Sequence, residues 1–232
     1  LQRLGRDADR LQERVVGDAL FNLSEGMPSQ RSDEYRDLLL ELDQLVTRKQ
    51  TNDLKNHNKR RHSEKVKRRF GFYQMAAERG INKLVLGFPY RHELSRDARF
   101  SAIRETYPGP GADGGNGFLD DVETYVRHVH ELATKKHSQR ALRLHEPSPT
   151  VVSLPDDFVH PVEPRVPTVR ELARFQSFPD KFEFRAKETT GAHRRRVEVP
   201  QYTQVGNAVP PLLAKALGAH IHAVLAEASD ED

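Results

Sequence analysis

No cysteine occurs among the 232 residues. That absence excludes disulfides, thiolate zinc sites and any covalent chemistry that relies on a sulfur nucleophile of the chain's own. Apolar residues are also scarce. At 36% of the sequence and a mean hydropathy of −0.74, they support a core only in patches. With 31% charged residues, some hydrophobic surface is expected to be completed by a partner. No apolar run is expected to be long enough to cross a bilayer, and no signal-peptide pattern is present, so a cytoplasmic protein is expected. The chain opens on Leu1 rather than Met, which suggests a fragment or a processed product.

The charge that is present is unevenly placed. A net charge of +3 conceals a basic cluster at Lys55, Lys59, Arg60, Arg61, Lys65, Lys67, Arg68 and Arg69, opposed there only by Glu64, and an acidic end from Glu227 to Asp232. A cluster of this kind suits a phosphate-tracking surface, because each neutralised phosphate releases a counterion. The plain alternative is a solvated helix face.

Periodicity gives a coarse organisation. Residues 1–50 read as helical, with Tyr35, Leu38, Leu39, Leu42, Leu45 and Val46 on one face. A short amphipathic helix is expected from Phe72 to Arg79, ending at Gly80. The stretch Pro108–Gly117 reads as a flexible loop, and a second helix is expected from Leu119 to about Lys136. His128, His130 and His137 fall on or near that helix and read as surface histidines, since two of them point in different directions. Val151-Val152 and Phe158-Val159 read as short strands flanking a turn at Pro155-Asp156-Asp157. Thr168-Val169-Arg170-Glu171 is a capping box that starts a helix with Leu172 and Phe175 inward. After a basic loop at Gly191–Arg196, Val205-Gly206-Asn207-Ala208 reads as a turn into a last helix from about Pro210, with Leu213, Leu217, Ile221 and Val224 in one stripe.

Two of these segments carry a resemblance. Arg165 to Asp180 (RVPTVRELARFQSFPD) and Gln204 to Leu213 (QVGNAVPPLL) resemble the ninth and tenth conserved blocks of the DNA (cytosine-5)-methyltransferases. Upstream, Leu144–Val152 and Phe158–Pro161 look like the family's Pro-x-Pro-Thr strand and the turn that follows. Asn56-His57 with Arg61-His62-Ser63, and Val16–Leu20, look like weaker family features. The family's Phe-x-Gly-x-Gly cofactor loop, Pro-Cys-Gln nucleophile loop, Glu-Asn-Val strand and Gln-x-Arg-x-Arg block have no counterpart.

The resemblance implies an α/β, mixed α+β fold: a small target-recognition domain of helices and short strands, and a C-terminal helix that completes a Rossmann-like S-adenosylmethionine-dependent domain. It implies a DNA-recognition region over 1–164 and the conserved C-terminal blocks over 165–232. By match to the tenth block, Asn207, Ala208 and Val209 would line the S-adenosylmethionine pocket. By match to the Pro-x-Pro-Thr strand, Thr150 would touch a phosphate near the flipped cytosine. Lys59, Arg60, Arg61, Lys67, Arg68 and Arg69 would contact double-stranded DNA. No residue of the chain is expected to be catalytic and no metal is expected. The chemistry the family performs on a flipped base begins with a thiolate attack on C6. The nucleophile must therefore come from a separate catalytic lobe. A bacterial protein of this kind would be associated with the nucleoid. Two other readings compete: a degenerate remnant that binds DNA without chemistry, and a helical interaction protein whose basic segment only confers solubility.

Overall fold

The structure is a computed structural model that describes residues 15–20, 23, 31–46, 54–111, 113, 115–189 and 198–229. The basic loop Gly191–Arg196, the last three acidic residues and much of the expected N-terminal helix lie outside them. Helix accounts for 51% of the described residues, and the sheet among them is two short strands, so the fold is mixed but dominated by helices. Two compact units form. One comprises Leu1–Asn58, Ser148–Leu154 and Thr168–Asp232; the other comprises Lys59–Pro147 and Pro155–Pro167. These units are discontinuous, whereas the functional division expected from sequence is a single cut at 164/165.

The unit formed by 59–147 and 155–167 is built on α3, Glu64–Arg79. Val66, Phe70 and Tyr73 recur at helical spacing and face its core, which is why α3 begins at Glu64 rather than at the expected Phe72. It ends where expected: Gly80 takes a left-handed φ of 68° and donates its N–H to the Ala76 carbonyl. A 3-10 segment, Lys83–Tyr90, is capped by Asn82, whose Oδ1 accepts from the Leu84 N–H at 3.0 Å. Helix α4, Arg96–Glu105, is capped by Ser95.

Helix α5 runs Val122–Glu131 and is shorter than expected at both ends. The Asp121 carboxylate accepts from the Glu123 and Thr124 N–H groups at 2.8 and 2.9 Å and so fixes the start. Leu119 instead donates to Asp113, at 3.2 Å. That bond, with those from Phe118 to Asp113 and from Asn116 to the Asp113 carbonyl, pins the end of the glycine-rich loop. Tyr125, Val126, Val129 and Leu132 are buried as the periodicity predicts. His128 corrects the expectation of surface histidines: it is buried, lies edge-on to Phe118 and touches Arg68 Nη2 at 3.2 Å. Burial, and then Arg68, hold its pKa below the usual histidine value. His130 and His137 are exposed.

Strand β1, Arg140–Ala141, pairs in parallel with β2, Phe158–Val159. The expected strand at Val151-Val152 does not form a ladder and belongs to the other unit.

That other unit contains a single turn α1, Val16–Ala19, helix α2, Arg31–Asp43, and helices α6, Val169–Phe175, α7, Gln201–Asn207, and α8, Pro211–Ser229. Tyr35 and Leu39 of α2 pack with Ala19, Phe175 and Leu212. Leu45 was expected on this face but is 73% exposed. The helix stops at Asp43, whose carboxylate accepts the Lys181 N–H at 2.9 Å, so Leu45 falls beyond it. Phe178, Phe182 and Phe184 form a ring cluster with centroids 4.9 to 5.1 Å apart.

The expected turn at Val205–Ala208 is the end of α7 rather than a free turn. Ala208 is extended and Pro211 opens α8, as expected for proline in a first turn. By length and composition alone Gln201–Ser229 is sufficient to cross a membrane. The expectation that no such run exists is corrected, although the extended Ala208 breaks the segment into α7 and α8.

Candidate functional site

The ninth-block segment is held by a set of bonds around α6. The capping box forms in both directions: the Glu171 N–H donates to Thr168 Oγ1 at 3.2 Å, and the Thr168 N–H to Glu171 Oε2 at 2.7 Å. His57 Nδ1 lies 3.0 Å from the same hydroxyl. Every residue from Val169 to Arg174 is buried, including two arginines. Arg170 is fully buried and donates to the carbonyls of Lys55 (3.1 Å), Pro179 (2.9 Å) and Phe182. Burial pushes its pKa down to about 10, so it remains a cation at neutral pH. Arg174 grips Asp180 with two nitrogens, at 3.0 and 2.6 Å, and its carbonyl accepts from the Tyr35 hydroxyl.

Asn56 joins this frame to the next. Its backbone has a φ of 65°, a conformation Asn tolerates better than most residues. Its carbonyl accepts the Arg170 N–H, and its Oδ1 accepts the Phe184 N–H at 3.0 Å. Its Nδ2 donates to Phe184 O at 2.8 Å and Gln201 Oε1 at 3.0 Å. The Asn-His pair of the sequence is thus the point where the ninth-block helix α6 and the start of α7 are tied together.

At the other end of α7, Gly206 meets the Pro-x-Pro-Thr segment backbone to backbone. A Cβ at Gly206 would stand 2.7 Å from both Ser153 N and Val152 C, closer than packed atoms allow. Thr203 Oγ1 also donates to Ser153 O at 3.4 Å. The segment holding Thr150 and the turn holding Asn207, Ala208 and Val209 are therefore fixed to one another in one unit. The Thr150 hydroxyl and the Asn207 amide are exposed and have no hydrogen-bond partner among the described residues. Val209 is 61% exposed.

Helix α8 has no buried residue. Leu213, Leu217, Ile221 and Val224 are 50%, 51%, 57% and 50% exposed, although Lys215 on another side pairs with Glu41.

The basic segment lies in the other unit and is already partly neutralised. Lys59 pairs with Glu163 at 3.0 Å, Arg60 with Asp156 at 3.4 Å and Lys67 with Glu64 at 2.8 Å. Arg69 donates to the Leu132 carbonyl at 2.8 Å, and Arg68 contacts His128. Arg61 and Lys65 have no such partner among the described residues. Lys65, Lys67 and Arg68 form one side of a cleft of about 1050 Å³ that Asn116, Glu131 and Val162 also line.

The buried bonds of Arg170 and Arg174 and the close approach at Gly206 have no signal in the sequence, because burial of an arginine leaves no mark on apolar periodicity. Asn56, by contrast, was marked by the Asn-His pair.

Two anchored conserved segments in one unit and a cationic surface in the other are the features to set beside known proteins. The C-5 cytosine-specific DNA methylase family matches residues 10–223, and the chain belongs to that family. Type II methyltransferase M.AquIB of Picosynechococcus is 46% identical over 94 residues, which are 40% of this chain and 68% of M.AquIB. Type II methyltransferase M.DdeI of Desulfomicrobium norvegicum is 44% identical over 96 residues, 40% of this chain but 23% of M.DdeI. DNA (cytosine-5)-methyltransferase 2 of Arabidopsis thaliana is 51% identical over 59 residues, 25% of this chain and 3% of that protein. Apart from M.AquIB, the chain thus spans a quarter or less of these relatives' length. No solved structure matches.

Proposed function

We propose that this chain is the C-terminal, DNA-recognising portion of a DNA (cytosine-5)-methyltransferase that modifies C5 of cytosine in a specific duplex site together with a separate catalytic lobe. The observation that carries this reading is α8: an apolar helix face that no described residue covers, in a chain whose family chemistry requires a thiol it does not have. The short length of M.AquIB supports it. The 94 matched residues are 68% of that chain, so a protein named a methyltransferase is there on the order of 140 residues long, the size of one domain.

In this reading residues 1–164 serve DNA recognition and residues 165–232 dock on the catalytic lobe. Asn207, Ala208 and Val209 form one wall of the S-adenosylmethionine site, and the bound cofactor supplies the methyl group. Asn207 offers an amide to its polar part and Val209 an apolar surface. Thr150 offers a hydroxyl to a phosphate oxygen. Lys59, Arg60, Arg61, Lys67, Arg68 and Arg69 face the duplex, where phosphates replace the carboxylates that now pair some of them; such exposed pairs are weak, about 0–1 kcal/mol. The catalytic lobe supplies the Pro-Cys-Gln nucleophile and the acid that activates the ring, within the Rossmann-like domain that α8 completes. The type II names of the relatives favour a place in a restriction-modification system, and a DNA substrate favours a cytoplasmic protein, at the nucleoid if the source is bacterial.

The test is methyl transfer from radiolabelled S-adenosylmethionine to mixed-sequence duplex. The chain alone is expected to transfer nothing and to form no covalent complex with a mechanism-trapping cytosine analogue. Mixed with a lobe carrying Pro-Cys-Gln and Phe-x-Gly-x-Gly, it is expected to restore site-specific transfer. Stoichiometric covalent trapping by the chain alone overturns the reading, and transfer-incompetent binding in every mixture points instead to a DNA-binding remnant.

A further inference from the structure

Cations in the unit formed by 59–147 and 155–167 are held in two different ways. Along the basic segment, carboxylates or carbonyls take up the charge: Glu163 for Lys59, Asp156 for Arg60, Glu64 for Lys67 and the Leu132 carbonyl for Arg69. At three cations around the 3-10 segment and α4 an aromatic ring lies under the charge, while Arg104, at the far end of α4, pairs with Glu123 at 3.0 Å. The Arg91 guanidinium lies 5.1 Å from the Phe88 ring centroid, Arg96 lies 5.6 Å from that of Phe100, and the Lys135 ammonium lies 5.7 Å from that of Tyr90. Phe100 stacks in turn on His130, with centroids 5.9 Å apart and planes at 13°.

These pairs belong to one surface. Pro89 connects them: its carbonyl accepts from Arg99 Nη1 at 3.0 Å, and it lines a hollow of about 140 Å³ with Arg96, Arg99, Phe100 and His130. The next residue, Tyr90, donates its hydroxyl to the Ala133 carbonyl at 3.5 Å, two residues before Lys135. Arg91, Arg96 and Lys135 are exposed. Two carboxylates accompany them, Glu93 at 3.9 Å from Arg91 and Asp97 in the first turn of α4.

A ring attracts a cation through its quadrupole but carries no net charge. It orients the cation without cancelling its charge; of the three, Arg91 also has Glu93 at 3.9 Å, whereas Arg96 and Lys135 have no carboxylate partner among the described residues. A carboxylate-paired cation must give up its partner before a phosphate gains anything, whereas a ring-seated one need not. The number of counterions released on binding therefore depends more on the ring-seated set.

We propose that the face formed by Phe88–Arg91, Arg96, Phe100 and Lys135 binds the sugar–phosphate backbone of duplex DNA, as a second contact separate from the segment 59–69. This rests on the reading of the chain as a DNA-recognising part of a methyltransferase. The contact is to backbone and not to base edges, because its donors are the terminal groups of exposed, flexible side chains and none is buried and fixed as a bidentate reader of a base would be.

The experiment is titration of the full chain with a random-sequence duplex across a range of KCl concentrations, using the wild type, the triple variant Arg91→Gln, Arg96→Gln, Lys135→Gln, and Arg143→Gln as a control cation that pairs with Glu146. The triple variant is expected to lower the slope of log affinity against log salt by about two to three, from about 0.9 per lost phosphate contact, with Arg143→Gln unchanged. Single Arg96→Gln is expected to lower it by about one, which keeps the test open should the triple variant unfold. A triple variant that stays folded and has wild-type affinity and slope overturns the proposal and leaves the surface to an acidic protein partner. A wild-type chain that binds no duplex even at low salt fails at the earlier step, the DNA-recognition reading itself, and the proposal with it.

Discussion

Helix α6 lies in the ninth-block segment and α8 opens at the end of the tenth, and their burial runs opposite to their polarity. α6 contains two arginines and a glutamate, yet every residue from Val169 to Arg174 is buried. α8 is rich in leucine and alanine, yet none of its residues is buried. Burial therefore follows the supply of partners and not polarity alone. Each charge of α6 is met: Arg170 by carbonyls of Lys55, Pro179 and Phe182, Arg174 by Asp180, Glu171 by the Thr168 N–H. A buried charge without such partners would be prohibitive. The stripe of α8 has no counterpart among the described residues of its unit, and an uncovered apolar stripe is the less ordinary of the two observations.

The largest expected effect lies at Arg170. Its replacement by Met keeps a long side chain but removes the Arg170 bonds to the carbonyls of Lys55, Pro179 and Phe182, of which that of Pro179 keeps the Phe182 N–H at 3.1 Å. Unsatisfied buried acceptors cost about 1–3 kcal/mol each, offset in part by the apolar replacement. Arg170→Met is thus expected to destabilise the isolated chain by about 3–5 kcal/mol, in the range of a broken buried network, read by urea unfolding. A loss under about 1 kcal/mol would break the comparison, because α6 would then be held by apolar contact like any other core helix.

An intermediate effect is expected at Gly206. Its φ is not in the left-handed region, so alanine suits the helical backbone and would on that ground stabilise by about 0.5–1 kcal/mol. The obstacle is contact alone, with Ser153 N and Val152 C each 2.7 Å from the added Cβ. Both are backbone atoms, so the segment or α7 must shift. Gly206→Ala is expected to destabilise by about 1–3 kcal/mol. A stabilised variant would show that α7 and the Thr150 segment are not locked together, and that Asn207 and Thr150 are placed independently.

What could be read from the sequence divides along the same line. The capping box at Thr168, the stop at Gly80, the proline entry to α8 and the buried stripe of α5 were legible because each depends on residues three or four apart. The family itself was legible from two short blocks. The limits of α3 and α5 and the failure of Val151-Val152 to form a strand were not, because carboxylate caps and packing against distant segments decide them. Nor could the sequence show that Lys59 and Arg60 face carboxylates, since Glu163 and Asp156 lie far along the chain. The cation–aromatic face was equally hidden: Arg91, Arg96 and Lys135 are seated on rings, a geometry with no periodic signature.

The smallest effect on the chain's own stability is expected at Leu217. It is 51% exposed on α8, and an exposed substitution is ordinarily within about 0.5 kcal/mol; aspartate in mid-helix adds a propensity cost of a few tenths. Leu217→Asp should therefore leave urea unfolding of the isolated chain almost unchanged. In the proposed assembly the same side chain lies against a catalytic lobe, where an unpaired carboxylate is taken out of water. Addition of the variant to a cysteine-bearing lobe is expected to abolish the restored methyl transfer. Asn207→Ala should allow the assembly and raise the KM for S-adenosylmethionine, since it removes one polar contact and no docking surface. The two measurements on Leu217→Asp separate the alternatives. A variant that unfolds the isolated chain makes α8 part of the internal core, and one that leaves both stability and assembly intact shows that the apolar face docks nothing. Loss of assembly with stability kept is the outcome that ties an uncovered stripe in this chain to the missing thiol.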